Sequence, residues 1–209
     1  MVPAGELSVK DARVASWADV GGREAALVQR CAAGDEAACA DLVAEHQRMV
    51  VQLAMNLLGD RDEALDLSQE VFLRVFRTIH RFRGQSALRT WIYRIAVNQA
   101  RNRHRAWRRR HRAHQISLDE HVATHGDFLT ASDAAPDRAL AQKELATRLQ
   151  SALDHLPFDQ RTVVVLREVD GLSYEEIAFS LGLAIGTVKS RLTRARRALR
   201  LELREARTA

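Results

Sequence analysis

From Tyr174 to Thr193 the chain reads YEEIAFSLGLAIGTVKSRLT, and the polar side chains in its second half have the types and spacing needed to read DNA. Thr187, Lys189, Ser190, Arg191, Arg194 and Arg197 fall on one side of a helix whose other side is Val188, Leu192, Ala195 and Leu199, at steps of four, three and four. Lys and Arg donate to guanine O6 and N7, while Ser and Thr donate to bases or phosphates. A recognition helix in the major groove uses residues near its N-terminus for this. A solvated amphipathic helix would carry the same charges. The residues just before it favour groove reading: Ser173 and Glu176 make a capping box, Ala178 is small where two helices would cross, and Gly182 suits a turn of positive φ. These are the parts of a helix-turn-helix.

A second constellation spans Phe82-Arg83-Gly84-Gln85-Ser86 and continues through Thr90 to Asn98 and Asn102. A glycine lets backbone approach an extruded base, amides and hydroxyls read its polar edge, and aromatics and arginines stack on bases or hold phosphates. Trp91 and Ile95 read as core residues that hold the helix, whereas Asn98 and Asn102 lie one turn apart on one face. A third set, Asp66, Gln69, Glu70 and Arg74, makes a polar helical face opposite Val71 and Val75. Catalysis has no candidate residues. No Cys/His cluster, Gly-rich phosphate loop, or nucleophile with its base is present, so no metal, cofactor or catalytic group is expected.

The elements that must position these residues are helical throughout. Residues 1–22 lack periodicity and read as a loose arm. A short helical stretch carries Leu27, Val28 and Cys31, and Gly34-Asp35 marks a turn. Next come a stripe of Leu42, Val43, His46, Met49, Val50, Leu53 and Leu57, a break at Gly59-Asp60, and a stripe of Ala64, Leu67, Val71, Val75 and Ile79. Ser86 is an expected N-cap for the helix that carries Trp91 and runs into the arginines. Residues 113–138 are polar and aperiodic, as in a flexible linker. Helical periodicity resumes at Leu140, breaks at Leu156-Pro157, and returns in Val163–Leu166 before Asp170-Gly171. The expected organisation is an arm (1–22), a helical domain (23–112), a linker (113–138) and a helix-turn-helix domain (139–205), all-α, each folded part small enough to lean on a partner.

Charge agrees with this division. The 32 Lys and Arg exceed the 27 acids only modestly, but unevenly. Residues 101–112 hold seven arginines and no acid, 115–137 hold five acids and no Lys or Arg, and the C-terminal stretch is basic again. That pattern suits two contacts with a polyanion and a middle segment kept off it. The arginine block either tracks phosphates or is an ordinary soluble helix end. No stretch suits membrane insertion and no signal peptide is evident, so a cytoplasmic protein is expected. Cys31 and Cys39, if on one continuous helix, lie about two turns apart and too far to bridge. They read as two small buried side chains in a reducing compartment rather than a metal or redox site.

Asp170-Gly171-Leu172-Ser173-Tyr174-Glu175-Glu176-Ile177-Ala178 and Gly186-Thr187-Val188-Lys189-Ser190-Arg191-Leu192 resemble the C-terminal domain of extracytoplasmic-function (ECF) sigma factors of bacterial RNA polymerase. The resemblance implies that Gly186, Thr187, Lys189, Ser190, Thr193 and Arg194 contact the minus-thirty-five element. Ala184 departs from the proline frequent in the family. The Phe82–Asn98 motif resembles the family's N-terminal domain, which captures the non-template strand of the minus-ten element. The stretch from Asp66 to Phe76 resembles the segment that docks on the polymerase clamp. The resemblance, over about residues 24–203, implies as partners core polymerase at its clamp and flap, promoter DNA both double- and single-stranded, and an anti-sigma factor. It also implies a linker lying in a polymerase channel, although a passive tether would have the same composition. The competing reading is a self-sufficient helix-turn-helix regulator of duplex DNA, which leaves the first domain unexplained.

Overall fold

The computed structural model describes residues 22–113 and 136–205, with side chains at 22–110 and 145–204. Most of the expected arm and linker therefore lies outside the described residues. Eight α-helices account for most of what is described: α1 (Gly22–Ala32), α2 (Glu36–Leu58), α3 (Arg61–Thr78), α4 (Leu88–Ala113), α5 (Pro136–Asp154), α6 (Phe158–Val164), α7 (Tyr174–Leu181) and α8 (Ile185–Glu205).

The first four make one unit. Asp35 caps α2 by accepting from the Ala38 N–H at 3.1 Å, and Asp60 caps α3 by accepting from the Glu63 N–H at 2.8 Å. Each cap stabilises its helix start by about 1 kcal/mol. The stripes expected on α2 and α3 are realised: Leu42, Val50, Leu53, Leu57, Ala64, Leu67, Val71 and Val75 are buried, and α4 closes the core with Ile92, Tyr93, Ala96 and Val97. Each large apolar side chain so buried contributes roughly 1.5–3 kcal/mol. Ile79, the last residue of the α3 stripe, is buried on a 3₁₀ turn that follows the helix.

The second unit is α5 to α8. Its core is Leu153, Val163, Leu166, Ile177, Val188, Leu192 and Ala195. The apolar run after α6 continues as a π-helical turn, Val165–Val169, which ends with the Asp170 N–H donating to the Val165 carbonyl at 3.1 Å. The capping box of α7 is complete: Ser173 Oγ accepts from the Glu176 N–H at 3.1 Å, and the Glu176 carboxylate accepts from the Ser173 N–H at 2.8 Å. Gly182 has the positive φ, 63°, expected of the turn.

Two expectations are corrected. Ser86 does not cap α4; its hydroxyl donates to the Ala87 carbonyl, and the Leu88 N–H is taken by the carboxylate of Glu24 from α1. The cap comes from 64 residues away because α1 packs beside the turn that precedes α4. Cys31 and Cys39 are not on one helix. Gly34, at φ 87°, ends α1 and reverses the chain into α2, so the two sulfurs meet at 2.7 Å.

The two units lean on each other. α7 lies across α4, with Thr90 Oγ1 donating to Glu176 Oε1 and Ser180 Oγ donating to the Thr90 carbonyl, both at 3.2 Å. Arg161, 7% exposed, joins α6 to the end of α2: it donates to the Leu57 carbonyl at 2.9 Å while also holding Asp154 at 2.8 Å. His104 stacks on Phe158 with ring centroids 4.8 Å apart.

Candidate nucleic-acid interface

The surface of α8 is divided sharply. Val188, Leu192 and Ala195 are buried, while Gly186, Lys189, Ser190, Thr193, Arg194 and Arg197 are exposed along its first three turns. A Cβ added at Gly186 would meet open space, so the start of the helix offers its backbone to an approaching ligand. Self-bonding keeps the small hydroxyls in order: Ser190 Oγ donates to the Thr187 carbonyl and Thr193 Oγ1 to the Lys189 carbonyl, both at 3.0 Å. Thr187 is half-buried. The Lys189 ammonium sits 5.5 Å from the centre of the Tyr174 ring, which steadies it without neutralising it. Arg191 differs from its neighbours. Half-buried, it pairs with Asp159 at 3.1 Å, so it is committed within its own unit.

The expected single-strand site is split. Arg83 and Gln85 are exposed and Ser86 is half-buried on the loop before α4, and Asn98 and Asn102 are exposed one turn apart on α4. Gly84 is buried at φ 66°, a conformation L side chains rarely adopt. Phe82 turns inward: it is 7% exposed and packs on Trp91 with ring centroids 5.2 Å apart, anchoring the loop rather than presenting a ring to a base. Thr90 is 1% exposed, covered by α7. The arginine block divides too. Arg103 bridges Glu63 and Glu70, each at 2.7 Å, and Arg101 lies 3.8 Å from Asp159, whereas Arg105, Arg108, Arg109 and Arg110 are exposed.

Asp66, Gln69, Glu70 and Arg74 share the exposed face of α3. Sequence reasoning missed the apolar side chains beside them, Leu65 and Leu73, which are exposed at 36% and 54%. Their signal was available: both fall outside the Ala64, Leu67, Val71 and Val75 stripe. Polar and apolar groups together on one outward face are what a protein partner requires.

Electrostatics concentrate where the units meet. Asp170 lies beside Tyr93 and Arg89, and the Arg89 guanidinium donates to the Asp170 carbonyl at 3.0 Å. Burial pushes the Asp170 carboxyl up to about 6, against the opposing pull of Tyr93 and Arg89. Burial also raises the Tyr93 phenol above its ordinary value, and holds His46, on the same cleft, below its own. Glu176 is held low by its bonds to Ser173 and Thr90, which outweigh burial acting the other way.

Models of two regions of one family match this chain: Sigma-70 region 2 over residues 42–111 and Sigma-70, region 4 over residues 146–199. The chain is 38% identical over 173 residues to the RNA polymerase sigma-H factor of Pseudomonas aeruginosa, covering 83% of this chain and 90% of that one. It is 37% identical over 173 residues, with the same coverage, to the ECF RNA polymerase sigma-E factor of Escherichia coli K12. Among solved structures it is similar to the sigma factor RpoE of Bartonella quintana in complex with the anti-sigma factor NepR, with a TM-score of 0.63 and 27% identity over 78% of this chain and 95% of that one. With both regions present in order, and with identity of this level across most of its length, the chain belongs to the sigma-70 family as an ECF-type RNA polymerase sigma factor.

Proposed function

We propose that this sigma factor divides promoter recognition between its two units: residues 23–112 for the downstream element and polymerase, residues 139–205 for the upstream element. The outward face of α8 enters the major groove, with Lys189 and Arg194 reading bases and Gly186, Thr187, Ser190, Thr193 and Arg197 setting its register on the backbone. Arg83, Gly84, Gln85 and Ser86 receive an extruded base of the non-template strand, and Asn98 and Asn102 follow it along α4. The α3 face of Asp66, Gln69, Glu70 and Arg74, with Leu73 beside it, docks on the polymerase clamp. Work on polymerase and chromosomal DNA puts the protein in the cytoplasm. The Bartonella relative is bound by an anti-sigma factor, and a protein of that kind is the expected antagonist here.

One observation carries this reading: the exposed side chains of α8 are the donors a groove-reading helix needs, held opposite a fully buried stripe. The closed packing of α7 on α4 adds a step. Thr90 meets DNA only after α7 leaves α4, so polymerase, by holding the two units apart, converts a closed factor into a reading one. The test is base discrimination by holoenzyme. Lys189→Ala or Arg194→Ala should cost roughly 1–3 kcal/mol and relax preference at one position of the upstream element. Uniform weakening on every sequence, with a shallower salt dependence, would make that residue a phosphate contact instead.

A further inference from the structure

Promoter reading leaves unused a close pair of thiols among the described residues. Cys31 sits in the last turn of α1 and Cys39 in the first turn of α2, joined by the Gly34 reversal. The turn is held by its own hydrogen bonds and one ion pair. Gly34 N–H donates to the Cys31 carbonyl and Asp35 N–H to the Arg30 carbonyl, both at 3.1 Å, while Arg30 Nε holds the Asp35 carboxylate at 2.7 Å. The sulfurs stand 2.7 Å apart, and Cys39 Sγ also lies 3.9 Å from the Cys31 carbonyl. A disulfide needs about 2.05 Å, so less than an ångström of movement closes the bond. The two thiols differ in access: Cys31 is 5% exposed, and Cys39 is half-buried. Burial, and then its hydrogen bond to Cys39, pushes the Cys31 thiol up to about 12, so it stays protonated, and Cys39 is the more accessible of the two.

We propose that Cys31 and Cys39 form a peroxide-sensitive dithiol site, whose oxidation to an intramolecular disulfide fastens α1 to α2. Hydrogen peroxide is the oxidant. The Cys39 thiolate attacks one peroxide oxygen, an S–O bond forms as the O–O bond breaks, and hydroxide leaves to become water. The Cys31 sulfur then attacks the sulfenic sulfur of Cys39, the S–S bond forms as the S–O bond breaks, and the departing hydroxyl takes the Cys31 proton as a second water. Two thiols lose two electrons and one peroxide gains them. In a reducing compartment such a pair is transient and serves sensing rather than permanent stability.

The place of the pair gives oxidation a consequence. The other end of α1 carries Glu24, whose carboxylate caps α4 at Leu88, and α1 lies against the Ile79–Arg81 turn. α1 is thus a brace for the start of α4 and for the loop of Arg83 to Ser86. Fastening α1 to α2 holds the brace in place. A consequence for promoter opening would rest on the role proposed above for that loop; the disulfide and the brace do not.

The experiment uses the full chain alone, without polymerase or DNA, so its outcome is independent of the promoter-reading assignment. After hydrogen peroxide, intact mass should fall by two hydrogens without dimer formation, a Cys31–Cys39 linked peptide should appear, and dithiothreitol should reverse both. Cys31→Ser should instead trap Cys39 as a sulfenic acid, a gain of one oxygen. Cys39→Ser should resist peroxide, because the remaining thiol is buried. The oxidised chain should melt about 5–10 °C higher, with slower amide exchange at residues 83–88. Over-oxidation of Cys39 while Cys31 remains alkylatable after unfolding would overturn the site. A disulfide that forms but leaves melting and exchange at residues 83–88 unchanged would overturn the brace.

Discussion

The packing of α7 on α4 predicts that the free factor hides part of its own reading surface, and Ser180→Arg should expose it. Ser180 is 1% exposed, and its hydroxyl donates to the Thr90 carbonyl across the seam. A guanidinium there would overfill the closed seam, at about 1–3 kcal/mol, and would be an unpaired buried charge, at several more. Against this the seam offers the charged bond from Arg161 to the Leu57 carbonyl, about 1.5–3 kcal/mol, and the Thr90–Glu176 bond, about 1 kcal/mol or somewhat more. The substitution outweighs both, so the variant opens. If the native seam favours closure by about 2–3 kcal/mol, the open form of the unaltered protein is scarce, and freeing it raises affinity for the single-stranded downstream element by ~30–150-fold. The assay is fluorescence anisotropy at fixed salt, using a labelled non-template strand from a promoter mapped with holoenzyme. Energy transfer between labels on α2 and α8 should fall in parallel, and far-UV circular dichroism should not change. Separated labels with unaltered strand affinity would refute the idea that α7 occludes the site.

The loop and the seam give two further expectations. Gly84→Val, at φ 66°, strains the loop by about 1–3 kcal/mol, and Asn98→Ala removes an exposed amide. Both should spare polymerase binding but reduce permanganate reactivity of promoter DNA, with partial rescue on a pre-melted template; unchanged footprints would remove the loop from the mechanism. Closure should also strengthen as pH falls. The Asp170 carboxyl titrates at about 6 when closed against an ordinary 3.8, so its contribution is full below about 4 and is lost as pH rises through about 6. Energy transfer should therefore rise from pH 7 to pH 5, and Asp170→Asn should flatten that rise. His46, held low by burial, acts in the opposite sense and remains in the variant. A slope unchanged in Asp170→Asn would assign the effect elsewhere.

What the sequence makes legible here is what neighbours in the chain decide. The capping box from Ser173 to Glu176, the Gly182 turn and the divided surface of α8 depend on residues three or four apart, and each forms as its spacing requires. The stripes of α2 and α3 are legible for the same reason. Ser86 has the residue type of a cap, yet the α4 cap is Glu24, and no local pattern links positions 64 apart. The cysteine pair was hidden by a single assumption: a spacing of eight separates side chains on one helix, whereas a reversal at Gly34 brings them together. The closed seam was hidden most completely. Arg161 and the Leu57 carbonyl, or Thr90 and Glu176, become partners only through the shapes of two finished units. Thr90 illustrates the consequence, since its hydroxyl suits DNA in sequence and is covered in the structure.

On the division of labour proposed above, this chain gives core polymerase its choice of promoter, using two separate surfaces. Run-off transcription on fragmented genomic DNA, with core polymerase and the purified chain, tests it most directly when the start sites are sequenced. New starts absent with core alone should appear, sharing an upstream and a downstream element at fixed separation, with Arg194→Ala relaxing only the upstream one and Asn98→Ala impairing only opening. Starts indistinguishable from those of core polymerase alone, or starts with no shared pair of elements, would contradict it.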